Sequence, residues 1–94
     1  MKVKVSLLGI IGEYVGHPSL DIKLEEGTTV GVLLGEIGER YAERMPVDLW
    51  DPEKKVFSPM INVFLDGKDV EDEKAALKEG SEVILLYMIA GGKE

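Results

Sequence analysis

The residues that most clearly suggest a chemical function in this sequence are two glycines, Gly91 and Gly92, which follow a hydrophobic run ending at Ala90. Glycine has no Cβ and accepts backbone angles closed to other residues, so the pair predicts a slim, flexible arm. Such an arm can thread a narrow channel and present a carboxylate at its far end. The alternative is a frayed terminus without function, which is common in small domains.

Other side chains that could support chemistry lack the neighbours that they would need. His17 is the single histidine, lies next to a proline, and has no serine or cysteine arrangement to serve. The acidic groups Glu25–Glu26 and Glu71–Glu73 do not have the spacing of a metal-binding loop. We therefore expect no intrinsic catalysis, no metal site and no bound cofactor.

Composition restricts the possible partners. The 94 residues indicate one domain, and the absence of cysteine excludes disulfides and thiolate chemistry. A net charge of −7 argues against nucleic-acid binding and favours a basic partner surface, although acidity also keeps small domains soluble. No apolar run approaches the roughly 20 residues that span a membrane, so we expect a cytoplasmic protein that does not bind membranes.

Several stretches alternate apolar and polar residues with the period of two that is typical of half-buried strands. The apolar positions of the first two stretches are Val3, Val5, Leu7, Leu20, Ile22 and Leu24. They predict a hairpin with a long, glycine-punctuated connection. A third strand, Ile61–Leu65, turns at Asp66–Gly67, a strong hairpin signal, into a short return strand. The last strand, Glu82–Met88, runs into the arm.

One helix is predicted after Thr28 or Thr29, either of which can cap it. Its apolar positions follow helical spacing: Val30, Leu33, Leu34, Ile37 and Tyr41. Gly31, Gly35 and Gly38 share a neighbouring stripe, and each interior glycine costs roughly 1 kcal/mol relative to alanine. We expect another backbone to lie against this stripe, with a docking partner as the second choice.

The stretch Met45–Pro59 holds three prolines and the single tryptophan, Trp50. It predicts a long, partly ordered loop that Trp50 anchors on the domain, and it is our first choice for the neighbour of the glycine stripe. The stretch Glu71–Glu79 predicts a turn of helix that places Leu77 in the core. Residues 1–92 then form a single domain, and residues 93–94 a tail.

The order of these elements, the hairpin at Asp66–Gly67, the approach Lys78–Val83 and the terminal glycines resemble the ubiquitin-like β-grasp fold. More narrowly, Leu8–Gly16 and Leu24–Leu34 resemble the MoaD/ThiS family of sulfur-carrier proteins, of the molybdopterin synthase small-subunit type. The resemblance covers nearly the whole chain except the Met45–Pro59 loop. It implies an α+β class, with a mixed sheet of four to five strands packed on one main helix.

In that family the terminal glycine carboxylate is adenylated by an E1-like enzyme that uses ATP, and is then converted to a thiocarboxylate. By resemblance, Gly92 would carry the reacting group and Gly91 would keep the arm slim. Here Lys93 and Glu94 follow, so the Gly92 carbonyl is an amide and cannot be adenylated as it stands. Either a processing protease, for example of the JAMM metalloprotease type, removes these residues or the chain is not a carrier.

The resemblance further implies that the chain acts as the small subunit of a molybdopterin synthase, with its arm inserted into the large catalytic subunit. Sulfur donation in thiamine synthesis or tRNA thiolation, and ubiquitin-like conjugation to proteins, use the same carboxylate chemistry and stay open. A β-grasp interaction module without terminal chemistry is the alternative from a different class.

Strand alternation also predicts a partner-binding surface at the root of the arm. If the odd-numbered residues of the last strands face the core, an apolar set points outward beside the arm. This set comprises Phe64, Ile84, Leu86 and Met88, and Ile89 and Ala90 extend it along the arm. In β-grasp modifiers this face docks the activating enzyme or the acceptor. The alternative is that the Met45–Pro59 loop covers these side chains.

Overall fold

A computed structural model describes residues 1–87, and their helices and strands follow the predicted order with some additions. They are β1 (Lys2–Gly9), α1 (Ile10–Val15), β2 (Ser19–Lys23), α2 (Val30–Arg40), a 3-10 turn (Ala42–Arg44), β3 (Trp50–Asp51), β4 (Val56–Phe57), β5 (Asn62–Leu65), β6 (Lys68–Asp69) and β7 (Glu82–Tyr87). Within this part of the chain, no helix combines the length and apolar character needed to cross a bilayer.

Five of the strands form one mixed sheet in the order β2-β1-β7-β5-β6. The first and last strands, β1 and β7, lie side by side in parallel, while β2 and β5 flank them antiparallel. The predicted class, a mixed sheet of four to five strands on one main helix, is confirmed. This topology places β7, which leads toward the arm, between two neighbours rather than at an edge.

The hydrophobic core lies between the sheet and α2. The period-two pattern of the strands and the helical spacing of α2 both place apolar side chains in it. Val5 in β1, Val83 in β7 and Leu33 in α2 have no exposed surface. Burying an aliphatic side chain of this size contributes about 1.5–3 kcal/mol, so these contacts hold the helix on one face of the sheet. The opposite face of the sheet is left without a covering helix among the described residues.

The connection between β1 and β2 contains a short helix, α1, which the sequence did not predict. Ile11 and Val15, one helical turn apart, are fully buried and tie it to the core. It ends at Gly16, whose φ of 88° reverses the chain and whose N–H donates to the Gly12 carbonyl. Two buried positions in a six-residue helix flanked by glycines are too few to reveal it by periodicity.

The prediction of a helical turn in Glu71–Glu79 is wrong, although Leu77 is buried as predicted. Ala76 instead forms a β-bridge with Thr29 at the start of α2. The Leu77 N–H donates to the Thr28 carbonyl at 2.9 Å. The backbone of this segment therefore pairs with the start of α2, and this pairing replaces the internal hydrogen bonds of a helix.

The start of α2 explains why that pairing is favoured. The first N–H groups of a helix have no partner within it. Here the Thr29 hydroxyl accepts from Val32 N at 3.3 Å, and the first two helical N–H groups donate to the carbonyls of Ala75 (3.0 Å) and Glu73 (2.8 Å). Of the two threonines predicted as caps, Thr29 is the one that caps α2.

The Met45–Pro59 segment is ordered by Trp50, as predicted. Trp50 is buried, and a Cβ built at Gly38 would lie 2.2 Å from its Cζ3 atom, so the ring rests directly on the α2 backbone. β3 and β4 form a small hairpin in this segment, and the Trp50 and Phe57 rings pack edge to face with centroids 4.8 Å apart. Lys55 completes the attachment through an ion pair with Glu39 on α2, at 3.0 Å.

The three glycines of the stripe meet different neighbours, so the expectation of one backbone along it is correct only in part. Gly38 accommodates the Trp50 ring, whereas Gly31 faces the backbone and side chain of Glu73. No atom lies within 4 Å of a Cβ built at Gly35. The stripe therefore seats two separate segments of the chain.

Candidate functional site

The strand that leads to the arm ends at Tyr87, which is paired with Gly9 of β1. Five residues of the predicted site and the tail after them lie outside the described residues. The five are Met88, Ile89, Ala90, Gly91 and Gly92. The structure accordingly shows the surface from which the arm leaves, and the roles predicted for these five residues stay predictions.

Three of the residues predicted for partner binding lie together on the outer face of the sheet, opposite α2. Phe64 of β5 is directly across from Ile84 of β7, and Leu86 follows two residues later on the same face. All three are half-buried, and none belongs to the core cluster. Their immediate neighbours Val83 and Leu85 point the other way and are fully buried.

Leu8 joins this group, and the sequence reasoning missed it. It is paired with Leu86 across the β1–β7 ladder and is 45% exposed. The signal was available, because Val5 and Leu7 face the core and the alternation therefore sends Leu8 outward. We define the outer-face patch as the four side chains Leu8, Phe64, Ile84 and Leu86.

The Met45–Pro59 segment does not cover the outer-face patch. Its anchor, Trp50, rests on Gly38, and its Lys55 pairs with Glu39, so the segment lies on the α2 side of the sheet. The alternative in which this segment shields the apolar side chains is therefore wrong. A contiguous apolar surface of this kind on a small domain usually marks a binding site.

The two ends of the outer face differ in charge. Away from the arm, Lys4 lies across from Asp21 on one side and Glu82 on the other, so the face there carries mixed charge. Toward the arm, the same strands carry Leu8 and Leu86. On this face the change from charged to apolar takes two residues in β7, from Glu82 to Ile84, and four in β1, from Lys4 to Leu8. The apolar side chains therefore lie at the end of the sheet where β7 ends.

His17 and Asp51 are titratable residues in separate segments of the described chain. His17 is exposed in the loop after α1. The Asp51 carboxylate accepts the backbone N–H groups of Lys54 and Glu53, at 3.1 and 2.9 Å, and these hydrogen bonds lower the pKa of Asp51. Within residues 1–87, no three His, Asp or Glu side chains are arranged to hold a metal ion.

In residues 1–87, the sheet order, the one long helix on one face and the apolar side chains on the other define a ubiquitin-like β-grasp domain. The sequence profile of the ThiS family matches residues 5–92. The chain therefore belongs to the ThiS family of ubiquitin-like sulfur-carrier proteins. A comparison with curated proteins finds no match.

Solved structures agree on the fold. SAMP1 from Haloferax volcanii has a TM-score of 0.81 at 20% identity, over 98% of this chain and 100% of its own. A Pyrococcus furiosus protein assigned as molybdopterin converting factor subunit 1 has a TM-score of 0.73 at 25% identity, over 95% and 99%. A chain of the Amycolatopsis orientalis BexX/CysO complex has a TM-score of 0.67 at 28% identity, over 96% and 99%. The β-grasp fold is thereby confirmed.

Proposed function

We propose that this chain carries sulfur as a thiocarboxylate on Gly92 and donates it in molybdopterin biosynthesis, as the small subunit of a molybdopterin synthase. The observation that carries the proposal is the position of Gly91–Gly92. They follow Tyr87, the last described residue of the central strand β7, by a few residues, and β7 also bears half of the outer-face patch.

The chemistry proposed at Gly92 begins with exposure of its carboxylate. Lys93 follows it in the sequence, so a protease must first hydrolyse the Gly92–Lys93 amide. The free carboxylate then attacks the α-phosphorus of ATP on an E1-like enzyme, and pyrophosphate leaves. A sulfur nucleophile next attacks the acyl carbon and expels AMP. ATP is used by the activating enzyme, and the carrier itself needs no bound cofactor.

The outer-face patch would supply the binding energy for this chemistry. Residues 88–92 span at most about 18 Å when fully extended, so any enzyme that acts on Gly92 must approach the end of the sheet closely. There it meets Leu8 and Leu86, and burial of their apolar surface contributes about 25 cal/mol for each Å². A chain with net charge −7 also attracts a basic surface around that contact.

The choice of molybdopterin synthesis is supported by the likeness to the Pyrococcus furiosus protein, which is 25% identical and is matched over nearly its whole length. The proposed acceptor is accordingly a large catalytic subunit that binds a pterin precursor and receives the arm.

The similar likeness to a chain of the BexX/CysO complex, at 28% identity, keeps another sulfur acceptor as the second candidate. Thiamine synthesis and tRNA thiolation belong to that candidate. Conjugation to proteins starts from the same adenylate but transfers the acyl group to an amine instead of donating sulfur.

Reconstitution separates these candidates. The chain ending at Gly92 is incubated with the E1-like enzyme of the same organism, ATP and radioactive pyrophosphate, and exchange of label into ATP is measured. We expect exchange with this chain, and none with matched chains that end at Gly91 or retain Lys93–Glu94. The thiocarboxylated product is then given to a molybdopterin synthase large subunit with its pterin precursor, and we expect dithiolene product.

Absence of exchange with the Gly92-ending chain would contradict the carrier function and favour the interaction module. In that case, deletion of residues 91–94 would leave partner binding intact while Phe64→Ala weakens it. Exchange without dithiolene product would contradict the molybdopterin assignment and favour another acceptor.

A further inference from the structure

Apolar side chains are also exposed on the Met45–Pro59 segment and the residue that follows it. Val47 is 69% exposed, Val56 51% and Met60 59%. Val47 and Val56 line the same groove, together with Pro59. We call Val47, Val56 and Met60 the insertion surface. Scattered single apolar residues on a surface are ordinary, whereas several on one short segment suggest a contact.

The insertion surface is held in a defined shape rather than carried on a loose loop. Trp50 is seated on Gly38, and the Ser58 N–H donates to the Leu49 carbonyl at 2.7 Å. These attachments fix the hairpin from which Val56 projects. A surface that is ordered before binding pays less conformational entropy when a partner covers it.

Met60 lies at the end of the sheet where β7 ends, and Pro59, the residue before it, lines the groove with Val47 and Val56. Asn62, the first residue of β5, is paired with Leu86 of the outer-face patch. Met60 precedes Asn62 by two residues, so their Cα atoms are at most about 8 Å apart. Apolar side chains of the outer-face patch and of the insertion surface, Leu86 and Met60, therefore both lie near the end of β7.

We propose that the insertion surface is a second contact for the E1-like enzyme that adenylates Gly92. The inference rests on the proposed function, because it requires an enzyme that receives the arm. The short reach of residues 88–92 brings that enzyme against the end of the sheet, where Leu86 of the outer-face patch and Met60 of the insertion surface lie. The activating enzyme is the chosen partner because adenylation precedes every use of the carboxylate.

The test uses the chain ending at Gly92, with the changes Val47→Thr, Val56→Thr and Met60→Gln made together. Threonine keeps the branched shape of valine while adding a hydroxyl, and all three sites are exposed, so the fold is retained. The Trp50 emission spectrum verifies that the hairpin is still seated. The matched control is Val32→Thr, a change at a valine 57% exposed on α2.

Pyrophosphate exchange with the E1-like enzyme of the same organism is measured against carrier concentration. We expect KM to rise about tenfold in the triple variant with kcat unchanged, since a contact that is equal in ground and transition states is lost. KM should stay unchanged in the Val32→Thr control. An unchanged KM in the triple variant would overturn the inference while leaving the proposed function intact.

Two further outcomes have definite meanings. If the triple change leaves KM unchanged but converts a wild-type dimer to a monomer in sedimentation, the insertion surface binds a second copy of the chain and the inference is wrong. If the wild-type chain ending at Gly92 gives no exchange at all, the proposed function fails, and this inference fails with it.

Discussion

Replacement of the three α2 glycines by alanine tests the packing of Trp50, which orders the Met45–Pro59 segment. A Cβ at Gly38 would lie 2.2–2.3 Å from three carbon atoms of the Trp50 ring. Ordinary van der Waals contact begins near 3.4 Å, so the ring would have to move by about 1 Å. Trp50 is 2% exposed and packs against Phe57, so it has little room to move.

The expected magnitudes follow from two opposing terms. Overpacking of a filled site typically costs 1–3 kcal/mol, while Gly→Ala within a helix gains roughly 1 kcal/mol. Gly38→Ala should therefore lower the free energy of unfolding by about 1–2 kcal/mol, given the severity of the overlap. Gly35→Ala, with nothing within 4 Å of its Cβ, should raise it by about 0.5–1 kcal/mol. Gly31→Ala, whose nearest neighbour is Glu73 at 3.2 Å, should fall between them.

Urea denaturation followed by fluorescence of Trp50 measures all three variants in one series. For a domain of this size, each kcal/mol also moves Tm by about 4–8 °C, so the order can be verified calorimetrically. Because Gly35→Ala and Gly38→Ala lie on the same helix, the helix propensity term cancels between them. Equal stability of these two variants would refute the conclusion that Trp50 is seated on Gly38.

Three further outcomes are expected. Thr29→Ala should destabilise the fold by about 1 kcal/mol in urea, because α2 loses its side-chain cap. Asp51→Asn should destabilise the fold near neutral pH. Since hydrogen bonds from Lys54 and Glu53 lower the pKa of Asp51 in the folded state, this deficit should disappear in acid titrations as pH falls below about 4. Leu86→Ala should raise KM about tenfold in pyrophosphate exchange, the loss typical of a central apolar contact. An unchanged unfolding curve, a pH-independent deficit or an unchanged KM would contradict these predictions in turn.

The strands of the main sheet and α2 were predictable from sequence because their periods are local properties. Alternation in β1 and β7 places Val5 and Val83 in the core, and the same alternation places Ile84 and Leu86 outside. The turn at Asp66–Gly67 was equally predictable, because Asp-Gly favours a hairpin turn in which both central residues take positive φ. Both residues do so in the structure. Each of these signals is contained within a few neighbouring residues.

The errors arose where a segment's structure depends on a distant partner. Glu71–Glu79 has a composition compatible with helix, yet its carbonyls accept the free N–H groups at the start of α2. Nothing in the nine residues themselves indicates that pairing. In the same way, three glycines signalled close packing, but their sequence could not show that Gly38 seats a ring while Gly31 seats another segment.

Local sequence patterns also predicted one part of the candidate site and not another. The outward direction of Phe64, Ile84 and Leu86 followed from parity, and Leu8 could have been found by extending the parity of β1. The finding that the Met45–Pro59 segment does not cover the outer-face patch required the three-dimensional position of Trp50. The chemistry proposed at Gly92 is a reaction with another protein, which no local pattern of residues encodes.

The intact mass of this protein, isolated from its native host while the pathway is active, tests the central claim most directly. The account predicts a chain that ends at Gly92, with a fraction of molecules heavier by the replacement of one oxygen atom by sulfur. Tandem mass spectrometry would place that difference at Gly92. Chains that all retain Lys93 and Glu94 without modification would contradict the account and leave a β-grasp domain that works by docking alone.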